Sequence, residues 1–517
     1  MFKHQQYHFY YLLEILTLTI ITSIFCFKFH IAYNEMDIFP YAKATFLHGL
    51  SPSWYLDFKF PSNFLFNYIL GFFMSRYDSF AIIILGRVLS YIFICYSYIY
   101  LSRVLKLSFF TSTVTYIIFL YFFKNGIGDA GEWMVGGLEA KVFAYSISIF
   151  SLSSFLKNNY KRGFLFAGLS LSIHLLVGVY NLFCLIPLII SALKQKKIDF
   201  INLIQAIFYF MITGIIGISE IINSFFLNTS QVIQNKGWDI YVNIRVPHHV
   251  IPNLSSDTWI KLIILTIITL LFLKSKCHTK RLVALYSLSS VIVIIIGFIV
   301  YYFLESHYMR YYFFRFSDII LPFLTLLLIA TLYHRIKYIY LLLIGLVIIP
   351  SIIKKDSTSE FLSSKSYNIN TIKEKTNQVS HKGSSGIDTK INEWIIQNTN
   401  ESDKFIVPPD KLYFCMNTGR EIFVSWWILP NQQEYKSTNT IPQDMIEWYN
   451  RLKLLNLNTD FNNLRDIKNN YTKLDKQSIL DIQSNYTNIK YILTPITMKL
   501  DFPIAKQTDY QLLYLIQ

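Results

Sequence analysis

The sequence has few charged residues and few cysteines, and both shortages restrict the class of protein. Charged residues make up 15% of the chain, whereas hydrophobic residues make up 53%. This balance is typical of membrane proteins and argues against an ordinary soluble globular chain. The five cysteines are scattered, and none forms a CxxC pair or a Cys/His spacing typical of zinc sites. The sequence also lacks a P-loop and a GxSxG motif, which disfavours two large enzyme classes.

The excess of positive charge has a simple explanation in a membrane protein. The formal net charge is +15, and most of the lysines and arginines of the first 353 residues fall in short loops between apolar runs. Such loops face the cytoplasm under the positive-inside rule, so we expect no nucleic-acid partner. The basic residues that set the orientation are Arg103, Lys106, Lys157, Lys161, Arg162, Lys194, Lys196, Lys197, Lys274, Lys276, Lys280, Arg281, Arg335 and Lys337.

Long apolar runs fill residues 1–353 and predict an α-helical polytopic membrane domain with about eleven transmembrane helices. With the basic loops inside, the N-terminus is cytoplasmic. The loops predicted to face outward are 30–79, 124–141, 223–258 and 305–318. Within the first of these, Asn63–Met74 is apolar but short, and it would invert every later loop if it crossed the membrane. We therefore predict that it is an interfacial helix on the outer surface.

The composition changes after residue 353. Polar residues dominate 354–390, which we predict to be a linker. Residues 391–517 alternate short β-branched and aromatic runs with an amphipathic helix. This pattern predicts a small α/β domain, which lies outside the cytoplasm if the parity of the spans is correct.

The first outward loop carries two carboxylates where the chain should leave the lipid. Acidic groups at that depth are costly unless they serve a function. Glu35 and Asp37 are two residues apart and point the same way if the segment is extended. They could bind a divalent metal such as Mg²⁺ or Mn²⁺, or one could act as a base while the other orients it. Lys59 could pair with either. The alternative is a pair of solvated carboxylates at a helix end.

The second outward loop combines glycines with charged side chains. Gly126, Gly128 and Gly131 allow backbone to approach a ligand closely. The charged candidates beside them are Asp129, Glu132, Glu139 and Lys141. Lys141 begins the next span, where a cation could hold a lipid phosphate. The alternative is a glycine-rich turn with capping acids.

The third and fourth outward loops supply histidines and arginines. Arg245, His248 and His249 lie in a proline-flanked segment that could assist as a base or a phosphate contact, or could be an exposed polar loop. Arg310 and Arg315 suit phosphate because the guanidinium donors form a planar fork. The spacing of Arg315 and Asp318 also predicts a helical ion pair, and snorkelling is the alternative.

Two other polar residues, Glu14 and His174, lie inside apolar runs. We assign both to the core, because a single histidine on an apolar face is more often a buried core residue than part of a site.

The layout resembles the GT-C superfamily of membrane glycosyltransferases. Its members carry an acidic motif in the first outer loop, which Glu35-Met36-Asp37 matches. A Pro-containing stretch leading to interfacial helices follows, and residues 60–68 look similar. Arg87 opens the next span in a comparable way. The GGLEAK, PHH and RFSD stretches are also similar to an uncharacterised bacterial membrane family known only as a domain of unknown function.

The resemblance implies transfer of a sugar from a polyprenyl-phosphate carrier to an envelope acceptor at the outer face of the plasma (inner) membrane. Asp37 and Glu35 would then be catalytic. Lys141, Arg310 and Arg315 would hold the carrier phosphate, and the other charged loop residues would assist at the substrate. Two alternatives are a lipid-linked sugar flippase or transporter and a non-catalytic envelope assembly protein. The partners are the lipid-linked sugar and membrane lipids.

Overall fold

A computed structural model gives the fold of most of the chain. It describes residues 2–27, 63–128, 130–225, 230–252, 255–333, 389–411, 418–426, 441–486 and 488–516, with residues 35, 42, 46, 341, 343–345 and 414. Helices dominate residues 2–330, and a small α/β domain follows, as the sequence predicts.

The helices of the first part are separated by short loops on one side and longer ones on the other. Their bounds are α1 Phe2–Cys26, α2 Phe64–Met74, α3 Ser79–Val104, α4 Phe109–Phe122, α5 Ala140–Leu156, α6 Tyr160–Ile173, α7 Leu175–Lys194, α8 Phe200–Phe225, α9 Gln231–Ile240, α10 Pro247–Val250, α11 Ser256–Leu271, α12 His278–Phe303 and α13 Arg315–Ala330.

Within the described residues, five helical segments are long and apolar enough to cross a membrane, which supports a membrane protein. They are Phe80–Val104, Leu175–Lys194, Phe200–Ile222, Ser256–Lys274 and His278–Phe303. Four shorter apolar helices accompany them, namely Tyr10–Cys26, Phe64–Met74, Phe109–Phe122 and Ala140–Leu156. The finer expectation of about eleven spans stays a prediction.

The predicted spans 163–180 and 182–193 divide at a different point in the structure. The break falls at His174, whose backbone is extended with φ −149° and ψ 108°. Its ring Nδ1 accepts a hydrogen bond from the backbone N–H of Val177 at 3.3 Å and thereby caps α7. Apolar residues on both sides of His174 hide this boundary from a hydropathy pattern.

Two helices form the centre of the membrane part. Every residue of α13 from Phe316 to Ala330 is buried, and α5 is buried along all of its length except Phe143. By contrast, α8 exposes a series of large apolar side chains that includes Phe200, Ile204 and Phe208. An apolar face of this kind fits a lipid environment. Both central helices begin with a cation in their first two residues, Lys141 in α5 and Arg315 in α13.

The segment Asn63–Met74 forms α2, of 11 residues. At about 1.5 Å of rise per residue, it is too short to cross a bilayer core unaided. Its first amide, Phe64 N–H, donates to Glu220 Oε1 of α8 at 3.0 Å. The interfacial position predicted for α2 agrees with its length.

The C-terminal domain contains a five-stranded sheet with the order β2-β1-β3-β5-β4. The strands are β1 Lys404–Ile406, β2 Glu421–Ile422, β3 Ile489–Pro495, β4 Ile504–Gln507 and β5 Gln511–Leu515. Strand β1 pairs in parallel with β2 and β3, whereas β5 is antiparallel to β3 and β4. The helices of this domain are α14 Thr389–Asn398, α15 Ile441–Leu455, α16 Leu464–Tyr471 and α17 Lys476–Asn485.

The loop between α8 and α11 carries the contact between the two parts of the chain. Helix α9 packs on α15, and Ile240 belongs to the same buried cluster as Trp448. Beyond α9, a π-helical turn spans Tyr241–Arg245. Its last residue, Arg245, donates to the carbonyl oxygen of Trp426 and lies over the Trp448 ring at 5.3 Å. The C-terminal domain is therefore anchored directly on the loop of the membrane part that the sequence predicts to be the third outward one.

Gly237 tests this packing because it lies against the backbone of α15. A Cβ atom at this position would lie 2.2 Å from the carbonyl oxygen of Pro442. We expect Gly237→Ala to cost about 1–3 kcal/mol of stability, as overpacking does, seen as a lower melting temperature. Gly345→Ala is the matched control, because no described atom lies within 4 Å of a Cβ built there. Equal melting temperatures for the two variants would contradict the packing.

Candidate functional site

The loop between α4 and α5, residues 123–139, contains most of the predicted second outward loop, 124–141. It meets the beginnings of three helices at one end of the membrane part. These are α5, α7 and α13, which contribute Lys141, His174 and Arg315 with their first or preceding residues. The positions are far apart in the chain, and the fold brings them together because all three helices begin at this end.

The carboxylate of Asp318 holds this loop in place. Its Oδ1 accepts from the backbone N–H groups of Ile127 at 2.7 Å and Gly128 at 2.9 Å. Its Oδ2 accepts from Ala130 at 3.3 Å and Glu132 at 3.2 Å. Asp318 is fully buried, so these dipoles replace the solvent that a charged carboxylate would otherwise need.

The glycines of the loop serve this arrangement. Gly126, Gly128 and Gly131 have φ values of +72°, +104° and +58°, which side chains with a Cβ rarely adopt. A Cβ on Gly126 would also lie 2.5 Å from the Asp318 carboxyl carbon. The backbone cradle therefore binds a carboxylate of the chain itself, and the ligand contact proposed for these glycines has to come from neighbouring side chains.

Glu132 lies at the centre of a buried network of charges. One of its oxygens lies 2.9 Å from Lys141 Nζ, and the other lies 2.5 Å from Arg315 Nε. Glu139 also pairs with Lys141, at 3.2 Å. Burial alone would raise the pKa of Glu132, but Arg315 and Lys141 outweigh burial and hold that pKa below its ordinary value. Glu132 is thus a carboxylate at neutral pH.

Arg315 differs from its sequence-based prediction. The predicted partner, Asp318, is engaged by backbone amides, and Arg315 pairs with Glu132 through Nε. Its guanidinium lies over the Tyr312 ring at 4.7 Å. Its Nη groups donate no hydrogen bond to any residue that the structure describes. Glu132 therefore orients Arg315 while leaving the outer edge of the planar fork for another acceptor.

A crevice lies beside this network. Its polar lining consists of Glu132, Lys141, His174 and Arg315. Its aromatic lining consists of Tyr145, Tyr180, Tyr312 and Phe316. The rings of Tyr145 and Phe316 stack with centroids 5.8 Å apart. The crevice thus combines charged donors with aromatic walls.

The adjacent histidines have separate positions. His249 Nδ1 lies 3.1 Å from the carbonyl oxygen of Ala130, so Nδ1 is the protonated nitrogen and donates. Burial, Arg315 and His248 lower the pKa of His249 to about 3, which leaves its ring neutral at physiological pH. His248 is more exposed, with its ring centroid 4.0 Å from that of His249. His249 therefore contacts the glycine loop through the backbone of Ala130.

Glu35 occupies a second buried cluster next to the first. Its Oε1 accepts from Arg87 Nε and from the backbone N–H of Leu138, each at 2.6 Å. Arg87 Nη2 binds the other oxygen. Both carboxylate oxygens are thus engaged, and Glu35 does not fit a divalent-metal ligand. The contact between Glu35 and Leu138 joins the predicted first outward loop to the predicted second one.

The remaining predicted site residues divide into two groups. Arg245 binds the C-terminal domain, and Arg310 lies over the Trp238 ring at 4.7 Å, away from the crevice lining. Asp37, Lys59 and Asp129 lie outside the described residues, so their assignments stay predictions. Among the residues that the structure describes, no group of three or more His, Cys, Asp or Glu side chains is placed to hold a metal.

The sequence analysis assigned His174 to the core and did not identify the three tyrosines of the crevice. Their environment is apolar in sequence, and only the fold brings them beside Arg315. The pattern that could have identified His174 in the sequence is a single polar residue between two apolar helical runs.

Asp318→Asn tests the support of the loop. The amide retains one acceptor and turns an NH₂ group toward backbone donors, so we expect a loss of about 1–3 kcal/mol. Hydrogen exchange should accelerate at the amides of Ile127, Gly128, Ala130 and Glu132. Asp501→Asn is the control, because the Asp501 side chain is 92% exposed in its ion pair. Unchanged exchange in Asp318→Asn would show that the carboxylate does not hold the loop.

Comparison with known proteins identifies only one part of the chain. Residues 388–455 match the model of a domain of unknown function, DUF6798. This match covers α14, β1, β2 and α15, including the helix that packs on α9. No curated protein matches the chain. The match locates a family relationship in the C-terminal domain, well under half of the chain, and assigns no activity.

Proposed function

We propose that the chain is a membrane glycosyltransferase of the GT-C type, which moves a sugar from a polyprenyl-phosphate carrier to an envelope acceptor. The observation that carries the proposal is the crevice in which Glu132 fixes Arg315, whose Nη groups donate to none of the described residues. Oriented guanidinium donors suit a phosphate oxygen. Aromatic walls suit the apolar faces of a sugar or the first units of a lipid chain.

The proposed topology has about eleven spans, with the N-terminus in the cytoplasm and the C-terminal domain outside. The crevice then opens at the outer face of the plasma (inner) membrane, where a lipid-linked donor presents its phosphate. The loops that meet there are the ones without the basic clusters. This placement is supported by their common position at one end of α5, α7 and α13.

The residues have different roles in this proposal. Arg315 binds the carrier phosphate. Lys141 shares Glu132 with Arg315 and adds a second positive charge to the same network. Asp37 is the proposed base for the acceptor hydroxyl. Glu35 has a structural role through its contacts with Arg87 and Leu138. We propose this role in place of the direct catalytic role that the sequence predicts. Because Glu35 does not fit a metal ligand, no step of the proposal uses a metal.

The transporter alternative is disfavoured by the position of the charges. Transporters usually place ionisable groups near the bilayer midplane on interrupted helices, whereas this network lies where helices begin. The assembly alternative has one observation in its favour, the docking of α15 on α9, which presents the C-terminal domain on a rigid base.

Arg315→Lys tests the transferase proposal most sharply. Lysine keeps the charge beside Glu132 but loses the planar fork, so we expect sugar transfer to fall about 100-fold. The purified protein in liposomes is given a panel of synthetic polyprenyl-phosphate sugars together with extracted envelope material as the acceptor. The measurement is the release of polyprenyl phosphate as the sugar passes to the acceptor. Arg162→Lys is the matched control, because Arg162 is exposed in the first turn of α6.

Equal rates for Arg315→Lys and the wild type would remove Arg315 from the proposed role. Absence of transfer from every donor, together with counterflow of a lipid-linked sugar across the liposome, would favour the flippase. Absence of both sugar transfer and counterflow would favour the non-catalytic assembly protein.

A further inference from the structure

His174 is the polar residue of the crevice that the proposed function does not use. It ends α6 and precedes α7, and its Nδ1 accepts the backbone N–H of Val177. A nitrogen that accepts a hydrogen bond carries no proton, so the neutral ring has its proton on Nε2. The local backbone therefore fixes the tautomer and makes Nε2–H a hydrogen-bond donor.

This donor is not used within the part of the chain that the structure describes. The Nε2 atom has no hydrogen-bond partner among those residues. The crevice tyrosines differ, because Tyr180 donates to the carbonyl oxygen of Tyr311, Tyr312 pairs with Tyr241, and Tyr145 lies 3.5 Å from the Arg315 carbonyl oxygen.

The groups around His174 are also donors. The first turn of α7 lines the crevice through Leu176 and Val177, and the first amides of a helix have no acceptor within it. Arg315 adds its Nη groups from the start of α13. The acceptors nearby are already engaged, since Glu132 pairs with Lys141 and Arg315. A ligand that complements these groups must be rich in acceptors.

We infer that His174 donates its Nε2–H to a phosphate oxygen of the ligand, which it holds against the first turn of α7 and opposite Arg315. A phosphate ester of a lipid fits because its non-bridging oxygens are strong acceptors, whereas a sugar hydroxyl also needs an acceptor. The inference rests on the proposed function for the identity of the lipid-linked ligand. The contact with phosphate itself rests on the geometry of His174.

Two reciprocal substitutions separate this donor from the helix cap. In His174→Asn, Oδ1 can accept from Val177 as Nδ1 does, but no atom remains at the position of Nε2. In His174→Gln, the amide nitrogen can reach the position of Nε2, but the cap is lost. If His174 is only structural, loss of the cap lowers the melting temperature and loss of the Nε2 donor changes nothing. If His174 binds the ligand, loss of the Nε2 donor weakens ligand binding.

The experiment measures binding and melting temperature for full-length protein in nanodiscs. The probes are farnesyl phosphate, inorganic phosphate and methyl glucoside. We expect His174→Asn to keep the wild-type melting temperature and to weaken farnesyl phosphate binding about 10-fold. We expect His174→Gln to melt at a lower temperature and to bind farnesyl phosphate within about 3-fold of the wild type. A matching loss for inorganic phosphate would identify free phosphate as a second source of the same contact.

Unchanged binding of farnesyl phosphate by His174→Asn would overturn the inference. A loss confined to methyl glucoside would overturn it as well, because the ring would then contact a sugar hydroxyl. If His174-dependent phosphate binding occurs in a protein that transfers no sugar, the inference stands and the transferase proposal fails.

Discussion

The hydrogen bonds between the Asp318 carboxylate and the loop that follows α4 fix the geometry of the whole candidate site. They place Glu132 at the end of a glycine turn, and Glu132 in turn orients Arg315 and pairs with Lys141. Asp318 and Arg315 are close neighbours at the start of α13. The start of α13 therefore supplies Asp318, which supports the loop, and Arg315, which the loop positions through Glu132. Because the network is buried, each charge must keep its partner, since an unpaired buried charge costs a large amount of free energy.

The same loop is held from a second direction, which connects the C-terminal domain to the crevice. His249 binds the Ala130 carbonyl oxygen, and the π-helical turn just before it ends at Arg245, which binds Trp426. Turns of this kind are frequent at functional sites. The part of the C-terminal domain that matches DUF6798 includes α15 and Trp426. Its position is therefore coupled, through a few residues of an outward loop, to the backbone that carries Glu132.

The sequence predicts the classes of structure well and the partners of individual charges poorly. Hydropathy locates the apolar helices, and alternating patterns identify the C-terminal α/β domain. The grouping of Glu132, Lys141, Arg315 and His249 follows from assigning their loops to one side. The sequence does not show that Asp318 binds backbone amides, because an i,i+3 spacing favours Arg315 equally well. It also hides His174 between two apolar runs, where only the fold reveals its neighbours.

A cryo-EM map of the protein in nanodiscs with bound farnesyl phosphate tests the central claim most directly. The account predicts phosphate density in the crevice, within hydrogen-bonding distance of the Arg315 Nη groups and His174 Nε2, with the 126–132 loop held by Asp318. Phosphate density elsewhere on the protein, with Arg315 and His174 making no contact to it, would contradict the account.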